Sequence, residues 1–375
     1  MSTQYVVSPL LRIDRTQRKD APWRLATGNG DKREFLDLNS GALFPWLCRA
    51  SAGRWSYEDL CASAASALDV EETSAAELVS ALIATGGLMP SDRAEALRRE
   101  GERWEAWGWR DAFDFHFGTR AGQYVRLRRA EYEAMLRGLL ADTAQSGPQP
   151  EPFKRLDYVE CIDLNPLVED LKASGRTTSL KSALLSSKPI RKFVGPPVSA
   201  NQLAGLLRFA HGIQFTRPLI LGQHAFRASP SGGARSPVEV YVAARTVDGI
   251  PPGIYHYDQL DNRLGLIANL SSDIVDATCF GKTGITTSSA VVYVTYRFTR
   301  HGWKYRYSRT YRAALLELGH NVQTTRLAAS LVGLETYYSP AIDDEIITEM
   351  LRLPDDCIEG PMFAIGLGNE GTLDD

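Results

Sequence analysis

The chain has 375 residues, of which 44% are hydrophobic and 23% charged, with a formal net charge of −3. That length exceeds one small core and points to two domains of globular composition, while the charge gives no electrostatic reason for nucleic acid or an anionic membrane as partner. Five scattered cysteines without a C-x-x-C pair and six histidines without an H-x-x-x-H spacing exclude a disulfide framework and leave no ligand pattern for a metal.

The opening residues Met1-Ser2-Thr3-Gln4-Tyr5 lack the basic and apolar blocks of a secretory signal. No later apolar run approaches the ~18 residues that span a bilayer, so a cytoplasmic location is expected. Val6 to Ile13 and Glu34 to Leu38 carry short strand-like alternation. Ser56, with Asp59 three residues on, caps a helix whose inner face holds Leu60 and Leu68. A second helix from about Thr73 carries Leu78, Leu82 and Ile83 and stops at Gly86-Gly87. Two helices followed by Gly-Gly-Leu and a short extended piece read as a small winged-helix-like unit. The charged helix Ser91 to Trp104 and the aromatic Trp107-Gly108-Trp109 follow it. Three prolines between Asp142 and Pro152 exclude regular structure there. We therefore divide the chain into an N-terminal domain 1–141, a linker 142–157 and a second domain 158–375.

The second domain mixes helices of unequal length with few strands and no βαβ repetition, which makes it α+β. Its first notable segment is Ser186-Ser187-Lys188-Pro189-Ile190-Arg191-Lys192-Phe193, three cations within five residues ahead of an expected helix. Such a turn can hold a phosphate through charge-assisted bonds, and a solvated basic turn has the same look. Ser199 and Gln202 form a capping box for a helix that ends at Gly212. The run Arg227 to Val242 passes from Ser229-Pro230-Ser231-Gly232-Gly233 into the strand Val238-Glu239-Val240-Tyr241-Val242. Its two glycines leave backbone N–H groups bare, so a flat ligand or an anion can approach; an ordinary loop before a core strand shares the pattern.

Gly253 to Tyr257 and Arg263 to Ile267 read as a hairpin around Asp261-Asn262, and Ala290 to Tyr296 as a central strand buried on both faces. In His301-Gly302-Trp303-Lys304-Tyr305-Arg306-Tyr307 the aromatics alternate with cations, as in an edge strand. A nucleic-acid platform alternates in the same way, but the acidic net balance speaks against it. An ammonium beside a phenol, as at Lys304 and Tyr305, favours the phenolate, and either group of such a pair can take a proton from a weakly acidic C–H. A long helix from about Thr310 to Leu331 stops at Gly333, and Pro361 to Leu367 returns as a last strand.

Three of these features, in this order, resemble the SagB-type dehydrogenases of the nitroreductase superfamily. They are the Lys188 to Phe193 segment, the Pro-Ser-Gly-Gly turn, and a Lys-Tyr pair followed by Tyr311-Arg312-Ala313-Ala314-Leu315-Leu316-Glu317-Leu318-Gly319-His320. Pro252-Gly253-Ile254-Tyr255-His256-Tyr257-Asp258 lies between the last two, and the likeness covers roughly Pro152 to Gly368. The family's first segment is Arg-Arg-Ser-x-Arg-x-Phe; here Pro189 stands where it has Ser, Arg306 replaces the Gly after the Lys-Tyr pair, and the later Arg spacing is shifted by one residue.

The resemblance implies a nitroreductase-like flavin domain, a central mixed β-sheet flanked by helices, that oxidises thiazolines and oxazolines to azoles in ribosomally made peptides. It implies FMN, held by Ser187, Lys188, Arg191, Pro230, Ser231, Gly232, Gly233, Ser339 and Pro340. Lys304 and Tyr305 become the catalytic pair, taking the Cα proton while the Cβ hydride passes to flavin N5, with molecular oxygen as the final oxidant. The implied partners are an azoline-containing precursor peptide, a second copy in a homodimer, and a heterocyclase (cyclodehydratase) complex. The N-terminal part resembles winged-helix-like units that hold leader peptides in peptide-modifying enzymes, and a helical cap for docking or dimerisation fits it equally. Three other activities suit the same residues: an NAD(P)H-dependent nitro- or quinone reductase, a SagB-like oxidase of another natural-product intermediate, and a flavin-free docking subunit. No G-x-G-x-x-G turn marks a Rossmann-bound nucleotide.

Overall fold

The computed structural model describes residues 3–15, 23–26, 36–38, 42–119, 127–143, 147–173, 178–185, 188, 190–354 and 358–372. The chain forms two compact units, residues 1–126 with 307–309, and residues 127–306 with 310–375.

In the first unit the helices Leu43–Ser51, Tyr57–Leu68 and Glu72–Thr85 close a core of Trp46, Leu47, Leu60, Val79 and Leu82. The capping signals act as read: Ser56 accepts from the Asp59 amide, and Gly86 ends the third helix at φ 79°. The extended piece after Gly86-Gly87, Leu88–Pro90, pairs antiparallel with Tyr5–Val7. Helices Ser91–Glu105 and Arg110–Gly118 follow. They surround Trp104 with Trp109, Phe113 and Phe117 at centroid distances of 5.7 to 5.9 Å. Arg12–Arg15, Trp23–Ala26 and Leu36–Leu38 make a separate three-stranded sheet.

The second unit is built on one seven-stranded sheet. Its spatial order is Glu335–Ser339, Glu359–Gly368, Ala290–Arg297, Val238–Ala244, Gly253–Asp258, Arg263–Ala268 and Cys161–Asp163. Every pairing in it is antiparallel, which corrects the expected mixed sheet. Parallel neighbours need a crossover of about a dozen residues or more. The links 245–252 and 259–262 between adjacent strands are too short for one.

Val238–Ala244 and Ala290–Arg297 are the central strands and are buried on both faces. The period of two sends Val240, Val242, Val292 and Val294 to one face, against Leu203 and Leu206 of helix Ala200–Ala210 and Leu318 of helix Thr310–Leu331. It sends Tyr241, Ala243, Val291 and Tyr293 to the other face, against Ile347 and Leu351. Each Val, Leu or Ile side chain among these contributes about 1.5–3 kcal/mol when fully buried. The Ser199–Gln202 capping box forms as read, and the long helix has the expected limits.

Residues 147–158 form no helix or strand, yet they are tied down. Gln149 donates to the Leu221 carbonyl at 2.7 Å and the Trp303 indole to the Gly147 carbonyl at 3.2 Å. Lys154 is buried against Glu359 at 2.8 Å and also meets the Tyr241 hydroxyl. Arg300, 1% exposed, does most to join the parts. Its Nε donates to the Glu151 carbonyl at 3.1 Å, its Nη1 to the Ser236 carbonyl at 2.7 Å, and its Nη2 lies 2.8 Å from Glu239 Oε1. Burial pushes the Glu239 carboxyl up, but Arg300, with His256 and Arg227, outweighs it and holds the group below the usual carboxylate range. Removing one partner of such a pair strands a buried charge, at a cost of about 3–5 kcal/mol. Arg300→Met is expected to lose that much stability in urea denaturation, and Arg300→Met/Glu239→Gln to recover a large part of it; equal instability of both variants would rule out the pair as the cause.

Candidate functional site

The glycine turn is a strained loop held at both ends. Gly232–Ala234 is a single 3-10 turn in which Gly233 has φ 59°, and the positive φ continues at Ala234 (52°) and Ser236 (49°). Non-glycine residues in that region cost about 1–3 kcal/mol each and persist only where the surroundings fix them. Here the Ser236 amide donates to Ser231 Oγ at 2.9 Å, Ser236 Oγ donates to the Ala225 carbonyl at 3.1 Å, and the Gly232 amide donates to Glu317 Oε2 at 3.2 Å. Ser229, just before the turn, donates to Thr324 on the same long helix at 2.8 Å.

The segment with Lys304 and Tyr305 is a helical turn rather than the edge strand its alternation suggested. After strand Ala290–Arg297 the chain enters the short helix Phe298–Gly302. The amides of Trp303, Lys304 and Tyr305 then bond back to the carbonyls of Thr299, His301 and His301. Backbone donors satisfied within the turn leave none for a strand ladder. The turn delivers both side chains to Gly233: a Cβ there would meet Lys304 Nζ at 2.6 Å and collide with the Tyr305 hydroxyl. Lys304 Nζ lies 5.0 Å from the Tyr305 ring centroid and 5.8 Å from that of Tyr132. The structure thus brings together Pro230, Ser231, Gly232 and Gly233 with Lys304 and Tyr305, two groups some seventy residues apart in sequence.

Two residues that sequence reasoning passed over complete this cluster. His301, 5% exposed, packs against Tyr305 with centroids 4.9 Å apart and the rings tilted by 38°, and a Cβ on Gly232 would meet its Cε1 at 3.1 Å. Glu317, 4% exposed, caps the Gly232 amide from the other side. The signal for Glu317 was its place in Ala313-Ala314-Leu315-Leu316-Glu317-Leu318, an acid inside an apolar helical run. Burial raises the Glu317 carboxyl to about 7, although Ser231, the Gly232 amide and Arg227 act in the opposite direction.

The second predicted group lies elsewhere in the unit. Lys188 and Arg191 line a cavity of about 260 Å³ with Arg326, Thr336, Tyr337 and Tyr338. Lys188 also faces Glu335 at 3.5 Å. Ser187 lies outside the described residues. The helix expected after the cations is Ala200–Ala210, but it does not follow them directly: Lys192–Phe193 is a short strand paired with Gly371–Thr372. Gly195-Pro196-Pro197 follows it, and a residue before proline is pushed out of the helical region. Ser339 is buried in a hydrogen-bond set of its own, accepting from Lys282 Nζ at 3.1 Å and donating to the Ala341 carbonyl at 2.9 Å; Pro340 is exposed.

Two outcomes follow from this geometry. Gly233→Ala combines a positive φ with the collision at Lys304 and Tyr305, so it is expected to cost at least about 1 kcal/mol in denaturation and to displace the pair; unchanged stability would remove the close approach. For Glu317, the folded carboxyl holds its proton up to about pH 7, whereas the unfolded one has released it near the ordinary 4.3. Between those values the native state binds more protons, so Glu317 lowers stability progressively as pH rises, by about 4 kcal/mol once both states are ionised. Glu317→Gln is expected to match wild type near pH 4 and to melt at a higher temperature at pH 8. A gain equal at both pH values would remove the ionisation as its source.

The chain matches the model of the nitroreductase family over residues 188–369. It is 24% identical over 348 residues to the trifolitoxin operon protein TfxC of Rhizobium leguminosarum bv. trifolii, a match that covers 90% of this chain and 93% of that protein. It is 33% identical over 148 residues to the trifolitoxin-processing protein TfxB of the same organism, covering 38% of this chain and 39% of that one. Among solved structures it is similar to the E. coli microcin synthetase McbBCD complex with truncated pro-MccB17 bound, at 20% identity and a TM-score of 0.42, covering 65% of this chain and 95% of that chain. The matched stretch holds the cation cavity, the glycine turn, the Lys304–Tyr305 pair and the long helix in the order in which the sequence presents them, and residues 188–369 of this chain are a nitroreductase-family domain with an N-terminal helical region ahead of it.

Proposed function

We propose that this chain is an FMN-dependent dehydrogenase that oxidises thiazoline or oxazoline rings to azoles in a ribosomally synthesised peptide. The observation that carries this is the convergence of Lys304 and Tyr305 on the bare Gly232–Gly233 turn. The relatives support the peptide class: TfxB is a trifolitoxin-processing protein and TfxC a protein of the trifolitoxin operon.

The residues present suit FMN. Lys188, Arg191 and Arg326 in one cavity are a donor set for a phosphate. The turn Pro230 to Gly233 offers a surface without side chains at its glycines for a planar ring, and Ser187, Ser339 and Pro340 belong to the set the family resemblance implies. FMN, when bound, supplies the acceptor for the hydride that leaves Cβ of the ring. The chain's own work is orientation and proton handling. Tyr305, as the phenolate, takes the Cα proton and becomes the neutral phenol, and Lys304, whose ammonium sits over the Tyr305 ring, offsets the negative charge held on that oxygen before the transfer and on the carbon as it develops. Arg300 fixes the pair by tying the turn before it to Ser236 and Glu239.

The partners in this reading are the precursor peptide, a second copy of the chain, and a heterocyclase that makes the azoline. The N-terminal unit serves to dock the peptide or the complex.

Purified protein is expected to be yellow with an FMN spectrum and to remove two mass units from an azoline-containing peptide. Lys304→Ala/Tyr305→Phe is expected to bind FMN as wild type does and to turn over at least about 100-fold more slowly. Equal rates would remove the pair from catalysis, a colourless protein would remove the flavin, and NAD(P)H consumption with a nitroarene but no peptide oxidation would make the domain a reductase.

A further inference from the structure

Four histidines of the second unit are buried: His211, His224, His256 and His301. Three engage a ring nitrogen: His211 with Thr325 Oγ1 at 3.0 Å, His224 with the Gly222 carbonyl at 3.0 Å, and His256 with the Tyr158 hydroxyl at 2.6 Å. His301 differs, for neither Nδ1 nor Nε2 has a hydrogen-bond partner among the described residues. The Tyr296 hydroxyl, on a ring 6.0 Å away, is a second buried orphan. Burial, with the cations of Arg235 and Lys304 nearby, lowers His301 to about 4, so near neutral pH the ring carries one N–H donor and one bare nitrogen. Buried polar groups without partners lose their hydration for no return and are rare in native proteins.

The orphan's position gives it a use. A Cβ on Gly232 would meet His301 Cε1 at 3.1 Å and Nδ1 at 3.7 Å, while a Cβ on Gly233 would meet Lys304 and Tyr305. Three polar side chains therefore close on two adjacent residues that have no side chains of their own. We propose that His301 is a ligand-contacting residue of this site, whose imidazole hydrogen-bonds a nitrogen or oxygen on the edge of a planar heterocycle seated at Gly232–Gly233. This rests on the functional reading above, in which that heterocycle is the flavin ring or the azoline of the peptide. Both present ring-edge nitrogen or oxygen, and both are flat enough for a turn with no Cβ.

The test uses the full chain as wild type, His301→Phe and His301→Gln, with three readouts: ligand-free melting temperature, FMN affinity by flavin fluorescence, and affinity for an azoline-containing peptide. His301→Phe removes the orphan but keeps the ring volume, so its ligand-free form is expected to melt about 2–4 °C higher. Its affinity for one of the two ligands is expected to fall about tenfold or more, as for one lost hydrogen bond. His301→Gln keeps a donor and an acceptor and is expected to retain most of that affinity. A loss confined to FMN assigns His301 to the flavin edge; a loss confined to the peptide assigns it to the azoline. Wild-type affinity of His301→Phe for both ligands overturns the inference, and so does a lower melting temperature, which would make the residue structural. A wild-type chain that takes up no FMN overturns the functional reading instead, and the peptide titration of the three proteins then decides His301 by itself.

Discussion

The buried pair of Arg300 and Glu239 is the constraint from which the site takes its shape. Arg300 has a fixed planar fork, and its three nitrogens are used in three directions: the irregular segment 147–158 at Glu151, the end of the glycine turn at Ser236, and strand Val238–Ala244 at Glu239. An ammonium could not hold that geometry, because it lacks the rigid fork. His301, Lys304 and Tyr305 follow within five residues of Arg300 in a hydrogen-bonded turn, so fixing the guanidinium fixes where they point. Desolvating two charges is expensive in itself, and such a pair is weak evidence for stability. Its evident product here is position: three segments far apart in sequence meet at one corner of the sheet.

That corner also stores unfavourable free energy that a simple loop would not need. Ala234 and Ser236 sit at positive φ, Glu317 is a buried carboxyl, and the imidazole of His301 and the hydroxyl of Tyr296 are buried without partners. Each departs from what a stable core prefers, and they lie together around Gly232. The seven-stranded sheet and its two apolar faces carry the opposing stability. Strain and orphaned polarity beside a well-packed scaffold are what make this corner the candidate site.

The scaffold was legible because its signals are local. Val238–Ala244 and Ala290–Arg297 are β-branched runs too apolar for a surface, and helix Thr310–Leu331 keeps a helical period up to Gly333. The Ser56 and Ser199 caps are written in adjacent residues. What escaped depends on contacts between distant residues. Arg300 stands in a polar run, Phe298-Thr299-Arg300-His301, that looks like surface, and only Glu239 and Ser236 across the fold make it buried. The aromatic-basic alternation of residues 303–307 imitated a strand because a period of two in composition carries no information about where backbone hydrogen bonds go. Antiparallel pairing of Val238–Ala244, Gly253–Asp258 and Arg263–Ala268 likewise followed from short links, not from any strand's own sequence.

The long helix relates the two halves of the candidate site. Glu317 and Thr324, seven residues apart, face the glycine turn, as a period of 3.6 residues per turn allows. Arg326, which lines the cation cavity with Lys188 and Arg191, comes nine residues after Glu317, and nine residues at that period end about half a turn away. Leu318 and Ala329 between these directions pack on the sheet. The turn and the cavity therefore flank opposite sides of one helix, and the helix itself stands between them. A single ligand with a planar ring at one end and a phosphate at the other meets both halves without crossing that helix if the halves come from different copies of the chain. The proposed homodimer would do this twice if its two-fold axis set the glycine turn of one protomer beside the cation cavity of its partner. The exposed Leu315 and Leu316 on the same helix, 48% and 66% accessible, give such a pairing apolar surface to bury. The proposed flavin and the proposed dimer are thus linked through where Glu317 and Arg326 fall on a helical period.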